Sequence, residues 1–219
     1  IIYSKNRLLT TIAYRIKGKT TYAMEGSIFI AGAGVQWLRD KLNFFKNASE
    51  TENIIKSLKD NKGVYLVPAF TGLGAPYWDA NARGVLSGLT RDTGPKEIIR
   101  ATIESVAYQT YDLFEAMKHD GLRPKLVKVD GGMVMNNWFS QFLSDVVDIK
   151  VLRPKVQETT ALGAAFMAGL QIGVYKSLKD ISKNWHLDKN FTPKIKSKER
   201  SNLVKGWSAA IKKTLTKTI

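Results

Sequence analysis

The chain has 219 residues, with 34 Lys and Arg against 19 Asp and Glu, so its formal net charge is +15 at pH 7. A hydrophobic content of 44%, with 17 glycines and 6 prolines, excludes a disordered or collagen-like chain. There is no cysteine, which excludes disulfides, a thiol nucleophile and thiolate metal sites. We therefore expect a globular fold with a substantial buried core.

The excess positive charge lies mainly near the C-terminus. Residues 1–175 carry 22 basic and 16 acidic side chains, whereas residues 176–219 carry 12 basic and 3 acidic ones. Single lysines without stacking aromatics or an arginine stripe are typical of a solvated face. We expect no nucleic-acid partner, and a basic module that binds nucleic acid or an anionic surface is the weaker alternative.

Neither a membrane span nor a secretory signal is predicted. The longest apolar run, residues 161–170, falls short of the roughly 20 residues that a membrane-spanning helix needs. The N-terminal residues show no basic segment followed by an apolar core and a cleavage site. We expect a cytoplasmic protein.

Apolar periodicity and turn residues predict strands and helices in alternation. Strands are predicted at residues 8–16, 20–25, 63–70, 85–89, 125–130 and 149–152. Helices are predicted from residue 31 through Leu42 and Phe45, at 51–59, 95–121, 136–148 and 159–172, and through most of the last 40 residues, with a break at Thr192-Pro193. This order predicts an α/β domain with parallel strand pairs, in which residues 176–219 form a Lys-rich helical tail.

Two glycines lie in the first turn of the helix predicted from residue 31. Free N–H groups at a helix N-terminus bind anions, and Gly32 and Gly34 would let a phosphate approach closely. Taken alone, the segment favours glycines that serve close helix packing, because it fits neither the dinucleotide fingerprint nor the phosphate loop of nucleotide hydrolases. Gln36 lies one turn beyond Gly32, where it could contact a ligand or face water.

A second glycine pair follows the strand predicted at residues 125–130. Asp130-Gly131-Gly132 leads to Asn136 at the start of a helix. Ligands of parallel α/β sheets lie beyond the carboxyl ends of the strands, where glycines leave room for a base or a phosphate. The alternative is a tight turn with Asn136 or Asn137 as the helix N-cap, and one residue can do both.

The remaining titratable candidates are weaker. His119 and His186 are widely separated and have no carboxylates placed for a metal site or a triad, so we expect both on the surface. Asp79 could be catalytic, but an Asx turn that stabilises its glycine-rich loop is the commoner role.

Five segments in order resemble the C-terminal domain of glycerol kinases. They are EGSIFIAGAGVQWLRD at 25–40, VPAFTGLGAPYWDANARG at 67–84, ATIESVAYQT at 101–110, VDGGMVMNNW at 129–138 and ETTALGAAFMAGL at 158–170. Residues 84–104 also resemble a signature of the wider carbohydrate-kinase family, which includes xylulose and gluconate kinases. The loop at 70–78 is more similar to glycerol kinases than to pentose kinases.

The resemblance implies an actin-like, ribonuclease-H-like α/β domain, with a mixed central sheet flanked by helices. Such a domain, here residues 1–219, is the nucleotide side of a two-domain kinase that uses ATP and Mg²⁺. By motif match, Gly32 and Gln36 contact the nucleotide phosphates, and Gly132 and Asn136 contact its adenosine and phosphate portions.

The family's first phosphate loop, glycerol-binding residues and catalytic aspartate belong to its first domain. We therefore expect no catalytic residue or metal ligand in this chain, and no activity from it alone. The whole protein is expected to form homo-oligomers and to convert glycerol to glycerol 3-phosphate. The alternatives are a domain of a xylulose or gluconate kinase and a non-catalytic interaction domain.

Overall fold

The computed structural model describes residues 1–217. The strands are β1 (Leu9–Ile16), β2 (Lys19–Glu25), β3 (Tyr65–Val67), β4 (Val85–Ser87), β5 (Leu126–Lys128), β6 (Lys150–Pro154) and β7 (Leu187–Phe191). The helices are α1 (Gly32–Asp40), α2 (Glu50–Lys56), α3 (Pro95–His119), α4 (Asn137–Val147), α5 (Thr159–Gln171), α6 (Leu178–Ser182) and α7 (Ser197–Thr214), with a 3₁₀ turn at Gly132–Met135.

The strands divide among three ladders. The predicted hairpin is confirmed: β1 pairs antiparallel with β2 around Lys17 and Gly18, both of which have positive φ. Strands β3 and β4 form a second antiparallel pair. In the third ladder β5 runs parallel to β6, and β7 runs antiparallel to it, which makes that sheet mixed. The α/β class is therefore confirmed, although β5 and β6 form the one parallel pair within residues 1–217.

Helix α3 is the centre of the packing. Pro95 begins it, and the carboxylate of Glu97 accepts the Gly94 N–H at 2.9 Å, which satisfies one of the free donors at the helix start. Its middle is buried on nearly every side, between α1, α2, α4 and β3. The ring of Tyr108 stacks on Trp207 of α7, with 5.3 Å between the centroids, and meets Phe142 of α4 edge-on. These contacts join three helices into one core.

Two segments differ from the sequence-based prediction. The helix that begins at Gly32 ends at Asp40, because Asn43 takes a positive φ and the N–H of Phe44 bonds back to Leu38 O. Phe45 still reaches the core, but from the turn and not from the helix.

The second difference lies in the Lys-rich tail, where residues 187–191 were predicted to be helical. They form strand β7, whose Phe191 pairs with Val151 of β6 and is buried. The tail is thus partly β-structure, and it completes the mixed sheet.

Helix α5 lies outside the core. It is apolar, as predicted, yet Gly169 is its one buried residue, while Met167 and the following Ile172 and Val174 are well exposed. Over the part of the chain that is described, no helix combines the length and the apolarity that crossing a membrane requires.

Candidate functional site

The starts of α1 and α2 and the 3₁₀ turn before α4 surround a cavity of about 500 Å³. All four residues singled out from the sequence, Gly32, Gln36, Gly132 and Asn136, line it. They come from segments 100 residues apart in the chain, so it is the fold that brings them together. Apolar side chains, among them Ile103 of α3, complete the wall.

The glycines of this region differ in the space around the position that a Cβ would take. A Cβ at Gly34 would lie 3.0 Å from Thr102 Cγ2, so Gly34 allows α1 to pack closely on α3. A Cβ at Gly32 or at Gly132 would meet no atom within 4 Å. Close packing therefore explains Gly34, but neither packing nor a positive φ explains Gly32 and Gly132. Their lack of a side chain keeps the cavity open.

The N-terminus of α1 borders this cavity, and a helix start has backbone N–H groups without partners in the helix. Its N-cap, Ala31, has no side chain that can accept from the first turn, and the first turn contains no acidic residue. The partial positive charge of a helix start is therefore uncompensated there. Gln36, one turn further along, is exposed and carries an amide at the same wall.

The N-terminus of α4, in contrast, is already satisfied. Asn136 is its N-cap, as predicted, because its Oδ1 accepts the Phe139 N–H at 3.0 Å. Its Nδ2 donates to Thr51 Oγ1 at 3.3 Å. The side chain of Asn136 thus both caps α4 and lines the cavity.

Glu52 of α2 adds a negative charge beside the start of α4. Its Oε2 accepts the backbone N–H of Asn137 at 3.0 Å, and its Oε1 is paired with Lys56 Nζ at 2.5 Å. Burial opposes ionisation of Glu52, but the hydrogen bonds from Lys56 and Asn137 outweigh it and hold its pKa below the usual value. At neutral pH this wall of the cavity carries a carboxylate.

Arg153, at the end of β6, supports the floor of the site. It is 6% exposed, its Nη1 donates to Val134 O at 2.8 Å and to Met135 O at 3.3 Å, and its Nε pairs with Asp188 at 2.7 Å. The guanidinium thereby fixes the 3₁₀ turn that carries Gly132. A buried arginine holding backbone carbonyls is costly to leave unpaired.

Sequence reasoning missed Thr51, Glu52 and Arg153. Thr51 and Glu52 belong to a helix that reads as short and polar, and Arg153 looks like an ordinary residue before a proline. The available signal was weak: a carboxylate in the first turn of α2, and a cation at the end of a strand expected to be buried.

The other sequence candidates lie away from the cavity. Asp79 forms the Asx turn expected of it, accepting the N–H groups of Asn81 and Ala82 at 3.1 Å, and it also binds Thr216 near the end of α7. His119 and His186 are both exposed, as expected. Within residues 1–217 no three His, Asp or Glu side chains are grouped closely enough to hold a metal ion.

Solved structures place this fold among sugar kinases. Glycerol kinase of Plasmodium falciparum, solved with ADP, superposes with a TM-score of 0.88 at 36% identity, over 99% of this chain and 44% of that one. Xylulose kinase of Lactobacillus acidophilus superposes with a TM-score of 0.77 at 23% identity, which shows the shared fold.

Sequence comparison identifies the family. Residues 5–172 match the model of the C-terminal domain of the FGGY family of carbohydrate kinases, and the chain belongs to that family. It is 56% identical over 212 residues to glycerol kinase 1 of Pseudomonas aeruginosa, covering 97% of this chain and 43% of that protein. It is also 56% identical to glycerol kinase of Alteromonas mediterranea, of which it covers 42%. The chain thus spans less than half the length of these relatives.

Proposed function

We propose that this chain is the nucleotide-binding, C-terminal part of an ATP-dependent glycerol kinase. The whole protein would transfer the γ-phosphate of ATP to glycerol and give glycerol 3-phosphate. One observation carries the assignment to the cavity: Gly32 and Gly132 both line it, and no protein atom lies within 4 Å of the position that a Cβ would take at either glycine. The identity of 56% to glycerol kinases supports the substrate over a xylulose or gluconate acceptor.

The charges around the cavity favour one orientation of the nucleotide. The free N–H groups of α1, with Gln36 beside them, attract phosphate oxygens. Beside α4, the carboxylate of Glu52 is paired with Lys56 and accepts the Asn137 N–H, so the start of that helix attracts phosphate less than the start of α1 does. The phosphates therefore point toward Gly32, and the adenosine lies against Gly132, Asn136 and the apolar wall.

Further parts of the proposal rest on the resemblance to glycerol kinases. Mg²⁺, bound together with ATP, would offset the negative charge of the phosphates during transfer and would need few ligands from this chain. The acceptor site and the proton-accepting aspartate would belong to the other part of the whole protein. A cytoplasmic location and homo-oligomeric assembly complete the proposal.

A pair of glycine substitutions tests the nucleotide site. Gly132→Leu places a side chain in the cavity, whereas Gly163→Leu, in the exposed helix α5, also has no atom within 4 Å of its Cβ but is not among the residues that line the cavity. Crowding of this kind costs about 1–3 kcal/mol, which corresponds to a roughly 5- to 150-fold weaker affinity. We expect Gly132→Leu to weaken ATP and ADP binding, measured by titration calorimetry, and Gly163→Leu to leave it unchanged.

Equal affinity of the two variants would show that the nucleotide does not occupy this cavity. The acceptor is tested separately on the full-length protein, by measuring ADP release with glycerol, xylulose or gluconate. Glycerol is expected to be the preferred substrate. A clear preference for either sugar would overturn that part of the proposal and leave the family assignment intact.

A further inference from the structure

We propose that Thr51 is a positioning residue whose hydroxyl orients the side-chain amide of Asn136 toward a bound nucleotide. The proposal rests on the nucleotide-binding function proposed above. It concerns a contact between α2 and the start of α4, two elements that meet only in the folded chain.

The hydroxyl of Thr51 donates one hydrogen bond and accepts another, and this decides which atom of the Asn136 amide faces it. Its side chain is 2% exposed, and its Oγ1 donates to Ala48 O at 2.7 Å. A hydroxyl has a single hydrogen, so the contact with Asn136 at 3.3 Å must be one that Thr51 accepts. The Asn136 atom on that side is therefore the nitrogen Nδ2.

The opposite end of the Asn136 amide is fixed independently. Its oxygen Oδ1 accepts the Phe139 N–H at 3.0 Å, which caps α4. Rotating the amide by half a turn would place two donors together at Phe139 and two acceptors together at Thr51. Both contacts thus select the same orientation, and within residues 1–217 the second hydrogen of Nδ2 has no recorded partner at the cavity wall.

Loss of the Thr51 hydroxyl would leave the amide held at one end only. The cap at Phe139 would persist, but the plane of the amide could then rotate about that contact, and binding a nucleotide would have to order it. A hydrogen bond of this kind contributes about 1 kcal/mol, so we expect roughly a fivefold loss of affinity.

Two substitutions of Thr51 separate positioning from packing. Thr51→Val keeps the buried volume and removes the hydroxyl, whereas Thr51→Ser keeps the hydroxyl and removes a buried methyl group. If Thr51 positions Asn136, Thr51→Val binds ADP about fivefold more weakly, while Thr51→Ser retains the affinity despite a lower melting temperature. If Thr51 had only a packing role, Thr51→Ser would lower both the ADP affinity and the melting temperature more than Thr51→Val does.

The side-chain amide of Asn136 supplies a readout that does not depend on nucleotide. In ¹H–¹⁵N spectra of the full chain without ligand, we expect its NH₂ signals to shift in Thr51→Val and to stay near their wild-type positions in Thr51→Ser. Unchanged signals in Thr51→Val, or unchanged ADP affinity, would overturn the proposal. If the wild-type chain binds no ADP, the nucleotide function fails, and the Asn136 signals alone decide whether Thr51 orients this amide.

Discussion

Replacing Asp112 by Asn probes a carboxylate that joins three parts of the fold. Oδ2 of Asp112, on α3, accepts Tyr77 Oη at 2.9 Å and Trp207 Nε1 at 2.7 Å. Burial raises the pKa of Asp112 to about 6, although both hydrogen bonds favour the ionised form. No basic side chain is among its close partners in the described residues, so the negative charge is held by neutral donors alone.

The raised pKa fixes the sign of the pH dependence. Between the unfolded pKa of 3.8 and about 6, the folded chain holds a proton on Asp112 that the unfolded chain has lost. The stability that this group contributes is therefore greatest at low pH and falls as the pH rises through 6. A shift of about two units corresponds to about 3 kcal/mol as an upper limit, and partial exposure of the residue reduces this to roughly 1–3 kcal/mol.

Asn at this position can accept both hydrogen bonds through one oxygen, but it cannot become charged. We expect the free energy of unfolding of Asp112→Asn, relative to wild type, to rise by about 1–3 kcal/mol between pH 4 and pH 8. Urea denaturation followed by tryptophan fluorescence at several pH values measures this difference. Asp92→Asn, at an exposed carboxylate in a turn, is the control for replacing a carboxylate by an amide.

A difference that is flat with pH would show that the Asp112 carboxylate is not destabilised by burial. A difference that falls as the pH rises would mean that its charged form is the one that the fold prefers. Either result would refute the reasoning from Asp112 burial.

Two further predictions concern stability. Gly88 has φ +84°, and a Cβ there would lie against Gly63 O, so Gly88→Ala should lower the free energy of unfolding by more than about 2 kcal/mol. Gly163→Ala, inside α5 with open space around its Cβ, should instead raise the free energy of unfolding slightly. Equal urea midpoints for the two variants would contradict this prediction. Glu104 is fully buried and accepts a hydrogen bond from Arg100 Nε at 2.7 Å, so Glu104→Ala should lower the free energy of unfolding by about 3–5 kcal/mol by leaving that cation unpaired. If urea denaturation shows a decrease below about 1 kcal/mol, water replaces the carboxylate.

Local signals in the sequence were sufficient where an element depends on its own residues. The turn at Gly18 between two Thr- and Tyr-containing runs predicts the first hairpin, because glycine adopts positive φ without steric cost. The apolar face that begins after Pro95 predicts α3, and Asn136 predicts the start of α4 because its side chain can cap the helix. The two glycine pairs likewise indicated a ligand site, although one member of each has another role, since Gly34 packs on Thr102 and Gly131 has φ +86°.

Strand β7 could not be predicted in this way. Its sequence, Leu-Asp-Lys-Asn-Phe, has no apolar alternation, and four of its five residues are exposed. It is a strand because the edge of β6 offers backbone partners and because Phe191 finds a buried position there. Such pairing depends on a segment some 40 residues earlier in the chain.

By itself the sequence determined the α/β class, most of the helices and the first hairpin, and it singled out Gly32, Gln36, Gly132 and Asn136 as candidate site residues, because each follows from local conformation or a short motif. Only the tertiary structure decided that these four line one cavity, that Gly34 serves packing while Gly32 does not, and that Thr51 and Glu52 reach Asn136 and Asn137. The physical reason is that a backbone turn is set by neighbouring residues, whereas a wall, a hydrogen bond or a charge in a cavity is set by residues that meet through folding.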